Sequence, residues 1–188
     1  MKILNTVLVT LIFVLASGYT EAHTADQSLD QVILLDVQGF EGGTDLWISA
    51  DGKAVCRFAV PPAKGESGLQ ETRYEFVVSA QQRSSLLELI TKHSFFTIKT
   101  KDRYYIIPDE ARPVIFVQSC TSTHAVGKWE GHKHNDFDPI YQRLLEIAES
   151  GENGKQTFRG PFEWNWKPDG FPENKSIYDM TKPKIIQK

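Results

Sequence analysis

The run Trp129-Glu130-Gly131-His132-Lys133-His134-Asn135-Asp136-Phe137-Asp138 is the densest group of donor side chains in the chain. In an extended segment, period-two alternation puts His132, His134 and Asp136 on one side. His124 lies upstream, in what reads as a hairpin strand. Imidazole and carboxylate donors gathered in this way are what zinc or copper takes. The competing reading is a solvated loop ahead of a helix. Asp138 suits a helix cap, Lys133 adds an opposing charge, and the spacing follows no standard metal signature. The loop is the preferred reading and implies no cofactor. A zinc or copper site, in a carrier or a metal-dependent hydrolase, is the alternative.

A second group, Trp164-Asn165-Trp166, suits recognition rather than catalysis. Residues two apart on an extended chain face the same way, about 7 Å apart. Two indoles so placed, with Phe162 in register and Asn165 opposite, can stack on a sugar or grip a peptide. The same three aromatics also suit a structural task, stapling a Pro-rich tail to the domain. Pro108-Asp109-Glu110-Ala111-Arg112-Pro113 sets two acids beside one base, which reads as a turn with a local ion pair. No G-x-S-x-G elbow, H-E-x-x-H helix, P-loop, dinucleotide glycine motif or paired C-x-x-C occurs. Asn174-Lys175-Ser176 fits a glycosylation sequon, meaningful only in a host that glycosylates exported proteins.

Cys56 and Cys120 are the only cysteines. In an exported chain the simplest expectation is a Cys56–Cys120 disulfide. On the chain-entropy account, closing a loop of that length contributes about 4 kcal/mol. A buried free pair and half of a metal site are the other readings.

These groups need elements to hold them. Val32 to Gln38 reads as a buried strand, and Gly42-Gly43 breaks it. Leu46 to Ser49 and Ala54 to Val60 flank Asp51-Gly52, the signal of a tight hairpin. Ala54, Cys56, Phe58 and Val60 share one face there, with Arg57 on the other. Arg73 to Val78 alternates again. Ser79-Ala80-Gln81-Gln82 then fits a capping box opening a helix, with Leu86, Leu87, Leu89 and Ile90 as its apolar stripe. Phe95, Phe96 and Ile98 form a short tether. Val114 to Val117 and Thr123 to Trp129 read as two more strands. Asp138 and Pro139 open a helix carrying Ile140, Tyr141, Leu144, Leu145, Ile147 and Ala148, ended by Gly151. The order ββββαββα predicts an α+β fold: a mostly antiparallel sheet of about six strands with two helices. Residues 152–188 read as an irregular tail, packed on the domain or extending from it. Six aromatics among these 37 residues are too many for a disordered linker.

The N-terminus points to export. Lys2 precedes the apolar run Ile3 to Ala16, and small residues offer cleavage after Gly18 or Ala22. Residues 1–22 are therefore expected to be a signal peptide, too short in its apolar part to span a membrane. A secreted or periplasmic location follows, with no integral membrane segment after cleavage. Residues 23–151 then form one domain of ordinary size. A formal charge of −3 gives no reason to expect nucleic acid.

The Asp51-Gly52 hairpin, Tyr74-Glu75-Phe76 leading to a capped helix, Phe95-Phe96, Lys128-Trp129 after a strand, and the final helix together carry a resemblance. Over roughly residues 32 to 150 the chain resembles a loose group of small exported bacterial proteins of unknown function. The resemblance implies an α+β fold and a bacterial exported location, and carries no activity or site residues. The expected role is non-catalytic recognition of a protein, peptide or glycan.

Overall fold

A computed structural model describes residues 29–37, 39, 41–64, 67–102, 112–129 and 131–182, the side chains of residues 174–176 excepted. The expected signal peptide and most of the Pro108–Pro113 turn lie outside these residues. Seven strands form a single sheet: β1 (Leu29–Leu35), β2 (Gly43–Ser49), β3 (Lys53–Val60), β4 (Gln70–Val77), β5 (Val114–Ser119), β6 (Thr123–Gly127) and β7 (Lys155–Pro161). Their order across the sheet is β6-β5-β1-β2-β3-β4-β7, and every pair is antiparallel. Among the described residues three α-helices accompany them: α1 (Ala80–Lys92), α2 (Asp138–Ser150) and α3 (Asn174–Met180).

Local signals explain several joints. Gly52 has φ +83°, which a side chain disfavours, and its amide closes the β2–β3 turn on Ser49 O at 2.9 Å. At α1 the capping box forms: Gln82 N donates to Ser79 Oγ at 3.2 Å, and Ser79 N donates to Gln82 Oε1 at 3.0 Å. At α2 the expectation needs correcting. The helix begins at Asp138 itself, Phe137 holds the cap position, and Asp138 does not cap.

Alternation along the strands gives the sheet two covered faces. Val32 and Leu34, Leu46 and Ile48, Ala54 and Cys56, Ile115 and Val117 face α1 and α2 in the main core. Their neighbours Ile33, Leu35, Val114 and Phe116 face the other way and meet Ile177 of α3, with Trp47 and Phe171 alongside. The region read as an irregular tail therefore contributes regular structure. Lys155–Pro161 adds a seventh strand beside β4 where six were expected, and α3 follows. Gln31 Nε2 donates to Gly170 O at 3.0 Å, tying the segment between them back to β1.

The expected Cys56–Cys120 disulfide is not formed: Cys56 is free and buried, Cys120 free and exposed. Sheet order supplies the reason. Cys56 lies on β3 and Cys120 just beyond β5, with β1 and β2 between. Three inter-strand spacings come to about 14 Å, well past a disulfide's reach. The Cys56 sulfur is also packed against Gly151, where an added Cβ would come within 2.8 Å of it.

Candidate functional site

On the face away from α1 and α2, pairing lines up Asp45, Arg57, Arg73 and Phe158 in one row across β2, β3, β4 and β7. Two arginines directly opposite each other repel. Carboxylates hold them together. Asp45 Oδ2 accepts from Arg57 Nε at 3.1 Å and also pairs with Nη2. Glu71, whose side chain has no exposed surface, pairs with Arg73 and lies 3.6 Å from Arg57 Nη1. Glu163 from the tail is the other partner of Arg73. The remaining oxygen of Asp45 is occupied as well, accepting the amides of Asp36 and Val37 at 2.8 and 3.0 Å.

The tail's aromatics lie over these guanidiniums. The Arg73 guanidinium carbon is 3.9 Å from the Trp166 ring centre and 4.2 Å from that of Phe158. Arg57 sits 4.4 Å from the ring centre of Phe162. Contacts of this kind strengthen as water is excluded. Phe162 N donates to Leu69 O at 2.9 Å, carrying the tail on past β7, and Trp166 N closes a turn on Glu163 O at 3.1 Å. That turn replaces the extended geometry expected for Trp164-Asn165-Trp166, so the two indoles take different roles. Trp166 is stapled to Arg73, whereas Trp164 stays 63% exposed in edge contact with Phe162, ring centres 4.7 Å apart.

Beside Trp164 the tail and strands leave a narrow cleft of about 40 Å³. Trp47, Trp164, Trp166, Pro168 and Phe171 make its walls, with Arg57, Asp45 and Lys167 as its charged lining. The Trp47 indole N–H is shielded from solvent and has no acceptor among the described residues. No family model, no curated protein and no solved structure matches this chain. Its function must be argued from this geometry.

The histidine cluster is dispersed. The His124 ring packs edge-on against Phe95, centres 5.6 Å apart, and its Nε2 donates to Ile98 O at 2.7 Å. His134 Nδ1 accepts from Phe137 N at 3.3 Å. Asp136 pairs with His93, a residue outside the expected set, at 3.2 Å. His132 and His134 share a shallow crevice with Lys101 and Lys128, whose charges oppose a cation. Among the described residues no three His, Cys, Asp or Glu side chains converge on a point that could hold a metal. Asp138 has a local task, accepting from Lys128 Nζ at 2.6 Å and from His134 N at 2.9 Å.

Of the residues gathered here, Phe162, Trp164 and Trp166 were candidates from the sequence, whereas Trp47, Asp45, Arg57, Glu71 and Arg73 were not. A signal for the latter was present. Each alternates with a core-facing residue on its strand, so all share the face that an aromatic tail was free to cover.

Proposed function

We propose that this protein is an exported, non-catalytic recognition module whose tail-side cleft grips an extended peptide in the periplasm or outside the cell. Trp164 carries the reading. It is 63% exposed, yet it is mounted on Phe162, which is itself fixed against Arg57. A large aromatic held ready in this way gives contact area at little ordering cost, and tryptophan is a frequent anchor of binding surfaces.

The polar chemistry favours a peptide over a glycan. A sugar needs several hydrogen-bonding groups, but Asp45 and Arg57 are turned on each other and on neighbouring backbone. Among the described residues the Trp47 N–H has no acceptor, and one carbonyl would satisfy it. Extended polyproline-type segments present unpaired carbonyls and dock in aromatic-lined grooves. Export is supported by Lys2 and the apolar run Ile3 to Ala16, and by the resemblance to small exported bacterial proteins. Among the described residues no helix is long and apolar enough to cross a membrane.

Decaproline and chitohexaose are suitable probes, with tryptophan fluorescence as the readout. The expected result is a saturable blue shift with decaproline, lost in Trp164→Ala, and no change with chitohexaose. Saturation by chitohexaose alone would move the assignment to glycans. A flat response to both would reject recognition through this cleft.

A further inference from the structure

On the opposite face of the sheet, the start of α1 does not close fully over β1 and β2. A groove of about 220 Å³ runs between them, walled by Leu29, Val32, Ile48, Leu86 and Leu87. Val32, Ile48 and Leu86 belong to the main core and are at most 3% exposed, so the floor of the groove is the core itself. Folded interiors leave few voids larger than a water. Small residues on the helix side, Ala80 and Ser84, keep this one open.

Among the described residues the single charged one lining the groove is Arg83. Its Nη1 donates to Ala50 O at 3.0 Å, which fixes the guanidinium beside the β2–β3 turn. Its Nε is shielded from solvent and has no acceptor among the described residues. Buried donors of that kind are rare and call for a partner. The first turn of α1 carries no acidic side chain, so its positive end is not neutralised locally. The nearby Asp51 is taken up by Lys53 Nζ at 2.6 Å.

We propose that this groove binds a short-chain amphipathic carboxylate, with its acyl chain on Val32, Ile48 and Leu86 and its carboxylate on Arg83. Apolar walls reward a hydrocarbon body, and a guanidinium pairs with carboxylate more strongly than with a neutral group. A cation would be repelled. The volume is below the roughly 300–1,000 Å³ of pockets for drug-sized ligands, which points to a short chain. This site lies across the sheet from the aromatic cleft and does not depend on it.

Calorimetric titration of the intact protein with hexanoate, octanoate, octanol and octylammonium tests the proposal. Each added methylene should tighten binding about fourfold. Octanoate should therefore bind roughly 15-fold more tightly than hexanoate, and at least tenfold more tightly than octanol or octylammonium. Arg83→Gln should reduce octanoate to the level of octanol. Ser84→Trp, at an exposed position on the groove, should abolish binding while the unfolding midpoint holds. Octanol binding as well as octanoate, octanoate binding unchanged in Ser84→Trp, or no saturable heat from the carboxylates would each overturn the assignment.

Discussion

The two cysteines differ through their surroundings alone. Burial pushes the Cys56 thiol up to about 12, because an anion there would be stripped of water. Cys120 is exposed beyond the end of β5. In non-reducing buffer near pH 8, a colorimetric thiol reagent should titrate one group in the native protein and two after denaturation. A count of zero in both states would restore the disulfide. Asp138 gives a second test at this scale. Burial opposes its charge, but the Lys128 ammonium and the His134 amide outweigh burial and hold its carboxyl below the usual range. A lowered folded value means stability that is fully present above the unfolded value, about 3.9, and lost as pH falls through the folded one. Asp138→Asn should cost about 1–2 kcal/mol at pH 7 by urea denaturation. The gap to the unsubstituted protein should begin to narrow below about pH 4 and close only once pH is below the folded value.

At the scale of elements, what was legible followed apolar period. β1 to β6, α1 and α2 each show it, and the capping box at Ser79 and the turn at Gly52 were readable from residue type. β7 was not. Lys155–Pro161 carries one large apolar residue, Phe158, and is mostly exposed. It is a strand because β4 offers a backbone edge and Arg73 offers a cation for its ring. The candidate site was legible in the aromatics at residues 162–166 and hidden in Trp47 and in its charges. Arg57 and Arg73 stand on the face away from α1 and α2, which a segment 106 and 90 residues later covers. That cover makes their carboxylates matter. Glu71→Gln leaves two tightly enclosed guanidiniums short of a counter-charge and should cost about 3 kcal/mol by urea denaturation. Trp164→Ala, at an exposed position, should stay within about 0.5 kcal/mol. Equal costs for the two would mean that Trp164, rather than the charge network, holds the tail.

At the scale of the whole molecule, the sheet needs cover on both faces, and only one cover comes from α1 and α2. The second core of Ile33, Leu35, Val114 and Phe116 is closed by residues that follow β7, chiefly Phe171 and Ile177. The tail thus covers the second face of the sheet, and the hydrogen bond from Gln31 to Gly170 spans 139 residues to hold it. A chain ending at Pro161 would keep all seven strands but lay bare this apolar face and strip Glu163 and Trp166 from Arg73. Exposed apolar area of that kind drives association. The shortened chain should bind a hydrophobic dye, elute as an oligomer in size-exclusion chromatography, and unfold at a lower urea concentration. The full chain should bind much less dye. A shortened chain that stays monomeric, binds no more dye than the full chain and is equally stable would show that the sheet stands with one face bare. The aromatic cleft would then be an appendage rather than a product of folding. The opposite result makes the cleft inseparable from stability, because the residues that close the second core also build its walls.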